Sequence, residues 1–461
     1  MNFKKEKRLK KKSRKLSIIE GSFAVIRQSL GDTYIAPFAI ALNAGNATIA
    51  MLSSITGLLG PLSQMFSSRL VEKYSRKKIV TKTTFFEALL WIPFIILAVL
   101  FYQGILTSTL PFILLFFFAI YTIIAQMPVP AWFSWMGDIV DEGYRGKWFA
   151  KRNFITGGIS LIFTILAALF LDFAKKNNYT MLGFGILFFL AMIARFISRH
   201  FFKKAYEPKL KIKKGYYFSF WQFLKKAPKN NFGRFTIYRS LFAFAVMIAS
   251  PFFAVYMLRN LGFSYLTFMM VMMSQVLFTI LAMRVWGKFA DKYGNYEVIK
   301  ITAVLVPLYP ILWLFSDNVL FLILGPSLIG GIAWSGLTLA TGNFVFDSVS
   351  PQKRSLAVSY FHVMMGIGVF LGAGLGALLA KTISISFMDT LLFIFLISAL
   401  ARMIAGILLT LKIREVRKTE KFDSSKALKH LVFGIHTKTH IESHVHHLGI
   451  KTTNLFKRKL K

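Results

Sequence analysis

Apolar residues run along this chain in long blocks separated by short polar gaps, from Phe23 to Leu411. Each block holds about 20 residues or more, enough for a helix to cross a hydrocarbon layer of roughly 30 Å. The period-two alternation of a membrane β-barrel is absent. Backbone polar groups in lipid must be satisfied within their own segment, so the blocks predict helices. They lie near residues 22–43, 46–68, 79–102, 108–137, 147–173, 180–203, 235–258, 264–288, 298–316, 319–347, 356–380 and 388–412. The expected fold is an all-α integral membrane protein with twelve spanning helices in two six-helix bundles.

The polar gaps set the organisation. A basic tail covers residues 1–18, a first bundle 19–203, a central loop 204–234, a second bundle 235–413 and a basic, His-rich tail 414–461. The central loop carries Lys209 to Lys214, an aromatic patch from Tyr216 to Trp221, then Lys225, Lys226 and Lys229. That mixture suits a membrane interface. Composition agrees: 55% of residues are hydrophobic, 16% aromatic and 16% charged, with mean hydropathy +0.57, too apolar for a soluble domain.

A net charge of +38 raises the question of nucleic acid, and its distribution answers it. Nearly all Lys and Arg fall on tails, loops or helix ends of one side. Lys175, Lys176, Arg259 and Lys381 fall on the other, and Arg27 and Arg402 lie within helices. This is the positive-inside bias: it predicts cytoplasmic termini, a plasma-membrane protein and basic tails touching anionic lipid rather than nucleic acid. The basic start and first apolar stretch imitate a signal peptide, but Arg27 and Asp32 interrupt it, so it is read as an uncleaved first helix. With no Cys, disulfides and thiolate metal sites are excluded.

The second half repeats the first. After the fourth helix comes Asp138-Ile-Val140 and then Arg145; after the tenth, Asp347-Ser-Val349 and then Arg354. At the same spacing Asn153 aligns with His362, Gly157 with Gly366 and Gln126 with Ser335. Phe23 to Arg27 matches Phe235 to Arg239, a proline follows each at Pro37 and Pro251, and Ala194-Arg195 matches Ala401-Arg402. Together these matches indicate a parallel duplication of a six-helix unit.

The turns after the second and eighth helices are the most specific segments. One reads Gly287-Lys-Phe-Ala-Asp291-Lys292-Tyr-Gly294; the other reads Ser68-Arg-Leu-Val-Glu72-Lys73-Tyr-Ser75-Arg76-Lys77-Lys78. They resemble the loop signature of the major facilitator superfamily, with Ser replacing both Gly and Glu replacing Asp in the first copy. The stretch from Gly137-Asp138 to Arg145-Gly146 resembles poorly characterised prokaryotic members. The resemblance spans all twelve helices and omits the tails. It implies that Glu72 faces the start of helix eleven and Asp291 the start of helix five. Arg76, Lys292, Asp138, Arg145, Asp347 and Arg354 then complete two charge clusters closing the cytoplasmic side, which open as the halves rock. The alternative is interfacial charge that only fixes topology.

Ionisable residues deep in a bilayer are costly and mark function. Asp32 lies midway along the first helix, which by the resemblance lines the central cavity. A desolvated carboxylate there is suited to carrying a proton. The alternatives are a structural partner for Arg27 or Arg239, or a contact to a cationic solute. Glu87 is expected to pair with a basic residue of its own half. Gln28, Gln126, Asn153, Gln275, Trp334, Ser335, Thr338 and His362 are candidate lining residues; Trp334, Thr338 and Thr341 form one helical stripe. Gly368, Gly372 and Gly376 form a smooth ridge for close packing. The superfamily's glycine- and proline-rich antiporter signature is missing from helix five. His436, His440, His444 and His447 form a stripe if the tail is helical, with Zn²⁺ binding as one reading and a plain surface helix as the other.

No phosphate-binding G-x-x-x-x-G-K-[ST] loop, H-E-x-x-H motif or Ser–His–Asp arrangement is evident, so neither an enzyme nor a cofactor is indicated. The reading is a monomeric secondary transporter of a small solute, working by alternating access and coupled to protons through Asp32. Efflux of lipophilic compounds is the runner-up, with a non-transporting sensor on the same fold as the reading from another class.

Overall fold

The computed structural model describes residues 3–71, 73–141, 145–208, 219–350, 354–417, 419–420 and 422. The chain divides into two units, Met1–Lys418 and Thr419–Lys461. The first unit holds every spanning helix; the histidine stripe of the tail lies outside the described residues.

Among the described residues the fold is helical without strands. The spanning helices are α2 (Asn46–Leu70), α3 (Arg76–Tyr102), α4 (Leu110–Ile139), α5 (Arg145–Lys176), α6 (Thr180–Lys204), α7 (Asn231–Asn260), α8 (Tyr265–Tyr293), α9 (Asn295–Leu312), α10 (Val319–Ser348), α11 (Arg354–Thr382) and α12 (Thr390–Lys412). These 11 are long and apolar enough to cross a membrane. The first span, α1, differs: it runs Phe3–Leu30, passes through a 3₁₀ turn at Asp32–Tyr34 and continues as Ile35–Ala41.

Two departures from the pattern have local causes. The helix starts at Phe3 rather than near residue 22, because Ser13 and Ser17 of the basic stretch are buried against the first half. Ser13 Oγ accepts the Tyr206 amide at 2.8 Å, and Leu16 packs on the core cluster of Trp135 and Trp148. The break follows Gly31, where a Cβ would lie 2.2 Å from the Trp91 ring. Only glycine lets the indole approach so closely, and the chain turns there, directly before Asp32.

Helices α1–α6 form one half and α7–α12 the other. They meet along α2 against α11 and α5 against α8. The predicted glycine ridge packs α11 onto α7 of its own half. Cβ atoms added at Gly368, Gly372 and Gly376 would lie 2.3, 2.1 and 2.2 Å from the carbonyl oxygens of Ser240, Phe244 and Ile248. Small residues permit this backbone approach, the main packing device where lipid removes the hydrophobic drive. Across the halves, Gly366 meets the Gly57 carbonyl in the same manner, and Ser54 Oγ donates to the Phe370 carbonyl at 3.2 Å.

The cores are unevenly distributed. One cluster joins Leu42, Ile49 and Phe184 of the first half to Phe252, Met257 and Phe268 of the second, at the face opposite the start of α1 and the end of α12. Toward the face where α1 begins and α12 ends, each half has a cluster of its own.

Candidate substrate and coupling site

The break in α1 places Asp32 inside the first half beside a chain of charged groups. Arg27 Nη1 donates to Asp32 Oδ2, and Tyr121 Oη of α4 donates to Asp32 Oδ1 at 2.5 Å. Arg27 also donates to Tyr121 Oη at 2.7 Å. On the other side of Arg27 lies Glu87 of α3, with Oε1 3.5 Å from Arg27 Nε; neither atom has a hydrogen-bond partner. Glu87 Oε2 accepts from Arg195 Nη2 and Nε of α6 at 2.6 and 2.9 Å. Arg195 reaches Ser198, which donates to Glu20 at 3.1 Å, and Arg152 of α5 lies 3.6 Å from Glu20.

Three carboxylates and three guanidinium groups therefore balance one another, as buried charge requires. Their exposure differs in a way that matters. The Glu87 side chain is 0% exposed and Asp32 is 35% exposed. Asp32 is thus the end of the network most exposed to water or a solute.

That end opens into a cavity of about 470 Å³ lined by Glu20, Arg27, Gln28, Asp32, Gln126, Trp132, Phe133, Arg152 and Arg195. Gln64 of α2 donates to Gln126 at 2.8 Å at its edge. A cavity of about 530 Å³ near the opposite face, lined by Ile40, Phe101, Tyr102, Lys175 and Tyr265, holds no comparable constellation of charges.

Of the residues expected from sequence, Gln28, Asp32 and Gln126 come together here. The others do not line this cavity. Asn153 is exposed on α5, and His362 is exposed on α11 with its ring edge-on to Phe361. Gln275 packs against Gly330 and Gly331 of α10. Ser335 is buried with its hydroxyl unpaired, Trp334 packs on the core of the second half, and Thr338 is exposed. Sequence reading overlooked Glu20, Gln64, Tyr121 and Arg152. The signal for Glu20 was available, since Glu20, Ala24, Arg27 and Gln28 share one helical face.

At the face where α1 begins and α12 ends, Asp138 and Asp347 each bond within their own half. Arg76 is 1% exposed; it donates to Asp138 at 2.6 Å, to the Ser134 carbonyl at 3.0 Å and to the Pro208 carbonyl at 2.8 Å, with Glu207 3.5 Å away. The second half repeats this arrangement with different chemistry. Asn295 donates to Asp347 at 2.9 Å, Arg417 donates to Asp347 at 2.7 Å, and Glu415 accepts the Tyr296 amide at 2.8 Å. Asp291 is exposed at the end of α8, and Lys292 lies 5.1 Å from the Tyr293 ring centre. Arg145 and Arg354 each begin a helix, and Glu72 lies outside the described residues.

Among the described residues, charged side chains also cross between the halves at the opposite face. Asp172 of α5 accepts the Tyr265 and Leu266 amides of α8 at 2.7 and 2.9 Å. Arg259 donates to the Ala44 carbonyl and to Asn46 Oδ1, both at 2.7 Å. Sequence had placed Arg259 on this sparsely charged side without a role.

Two packed six-helix halves, the first holding a charged cavity, define a multi-pass membrane transporter. The Major Facilitator Superfamily sequence model matches residues 235–457, just under half of the chain. No curated protein sequence matches. The fold is similar to the crystal structure of the nucleoside transporter NupG, at 15% identity and TM-score 0.63 over 88% of this chain and 98% of that one. It is similar to a bacterial homologue of the iron transporter ferroportin in its inward-facing state, at 13% identity and TM-score 0.63 over 89% and 99%. Against the outward-facing state of that homologue the TM-score is 0.56, at 13% identity over 87% and 98%.

Proposed function

We propose that the chain is a secondary active transporter that moves a small polar solute by alternating access, coupled to protons through Asp32. It works as a monomer in the plasma membrane with both termini cytoplasmic, the orientation favoured by the basic face. The observation that carries the coupling is that Arg27 stands between two carboxylates of unequal exposure. Protonating Asp32 removes one of its two counter-charges. Arg27 is then drawn to Glu87, whose facing oxygen is unpaired at 3.5 Å. That shift acts on α1 at the Gly31 break, so the two protonation states favour different backbone arrangements. Glu20, Arg152 and Arg195 hold the rest of the network, and Tyr121 keeps Asp32 oriented.

Alternating access is supported by charged ties that bridge the halves at one face. Asp172 and Arg259 bridge them at the face away from the start of α1, and the higher TM-score against the inward-facing ferroportin homologue agrees with a form open toward the basic side. In the opposite form the charged turns would exchange their partners within each half for partners across the halves, which is the gate role inferred for Asp138, Arg145, Asp347 and Arg354. Charges and glutamines line the cavity, which favours a polar solute over a lipophilic one.

The test is flux. A solute found by thermal-shift screening of purified protein is followed in proteoliposomes under an imposed pH gradient. Wild type should accumulate it against its gradient, and Asp32→Asn should only equilibrate it. Accumulation that ignores the pH gradient, or that survives Asp32→Asn, removes Asp32 as the proton carrier. Binding without any flux would point to a sensor.

A further inference from the structure

The repeat leaves the second half with a cation whose counter-charges were not duplicated. Arg239 of α7 is the counterpart of Arg27, and the positions matching Asp32 and Glu87 are Phe244 and Val306. Arg239 is 7% exposed, so its charge lies inside the protein. Its Nε donates to Thr341 Oγ1 of α10 at 3.4 Å, and its guanidinium lies 5.6 Å from the Phe242 ring centre. Among the described residues no carboxylate pairs with it, and its two terminal nitrogens donate to none of them.

The other duplicated arginine shows how the second half treats a cation that is only structural. Arg402, the counterpart of Arg195, donates to Ser398 Oγ at 3.1 Å and to the carbonyls of Val246 and Val306 at 3.1 and 3.4 Å. Val306 stands four residues before Pro310, which lacks the amide that would otherwise take that carbonyl. A free backbone oxygen has replaced Glu87, and Arg402 is satisfied. Arg239 has no such replacement.

A guanidinium held in low dielectric without a counter-ion is strongly unfavourable unless something supplies one. Its terminal N–H groups form a fork matching two oxygens of a carboxylate or phosphate. Thr341, having accepted from Nε, keeps its hydroxyl proton to donate to the same group. We propose that Arg239, with Thr341, receives the carboxylate or phosphate group of the transported solute. This rests on the transporter reading above and deepens it: the first half manages the proton and the second half selects an anion.

Equilibrium binding tests this without flux. Thermal unfolding of the purified full-length chain is followed while inorganic phosphate or acetate replaces chloride at constant ionic strength. At least one should raise the midpoint saturably; phosphate alone would indicate a phosphorylated solute, and acetate alone a carboxylate. Arg239→Gln should weaken the apparent affinity by about tenfold or more, as expected for a lost charge-assisted hydrogen bond. Arg239→Lys should retain part of it. If neither anion acts on the wild type, or the effect persists in Arg239→Gln, the assignment is overturned. Should Arg239→Gln fail to fold, phenylglyoxal labelling of Arg239 in the wild type, read by peptide mass spectrometry, decides. Slowing by either anion supports the site, and indifference to both overturns it. Failure here leaves pH-driven accumulation intact, whereas loss of pH coupling with anion binding retained would overturn only the Asp32 assignment.

Discussion

Asp172 of α5 caps the first turn of α8 across the boundary between the halves, accepting the Tyr265 amide at 2.7 Å and the Leu266 amide at 2.9 Å. A carboxylate at a helix N-terminus meets otherwise unsatisfied amides and the positive end of the helix dipole. Asp172→Ala should therefore loosen this face by about 1.5–3 kcal/mol, the range for hydrogen bonds to a charged group. The chain has no Cys, so a single reporter at Met257, 0% exposed in the core of that face, can follow opening. Maleimide labelling of Met257→Cys should rise when Asp172→Ala is added. Unchanged labelling would mean that the apolar cluster alone holds the face shut.

The network around Arg27 predicts an order of stability. Glu87 is fully buried between Arg195 and Arg27, whereas Asp32 is partly exposed. Removing one partner of a buried ion pair leaves the other uncompensated, at about 3–5 kcal/mol. Glu87→Gln should lower the unfolding midpoint in detergent more than Asp32→Asn does. Equal losses would show that burial does not separate the two carboxylates.

Arg76 and Asn295 hold equivalent places at the starts of α3 and α9, one charged and one neutral. Arg76→Ala leaves buried carbonyls and the Asp138 carboxylate without their donor, and should cost about 3–5 kcal/mol. Asn295→Ala removes a neutral donor and should cost about 1–3 kcal/mol. Thermal unfolding of the two variants checks the difference.

The α11 ridge carries its own control. A Cβ at Gly372 would meet the Phe244 carbonyl at 2.1 Å, whereas one at Gly374 has nothing within 4 Å. Gly372→Ala should destabilise by about 1–3 kcal/mol through overpacking, and Gly374→Ala should be neutral or slightly stabilising. Matching midpoints for the two variants would place α11 farther from α7.

Sequence reading reached the fold because the bilayer imposes it. Span length, the one-sided Lys and Arg, and the repeated turns all follow from transfer and backbone hydrogen-bonding terms that act on single segments. The same holds for the Gly368–Gly376 ridge, whose spacing carries its meaning within one helix. Asp32 and Gln28 were visible for this reason too, as polar groups inside an apolar block.

Only the tertiary structure decided which charges meet. Asp32 takes Arg27 rather than Arg239 because Trp91 packs on Gly31 and turns the chain there. Tyr121 and Arg152 join from other helices, at separations that no local period records. Asp138 and Asp347 bond within their halves while Asp172 and Arg259 tie the opposite face, because side-chain partners depend on how helices pack. The duplication itself could be read from one dimension. Which copy of each arginine kept its carboxylate, and which was left to find another partner, needed three.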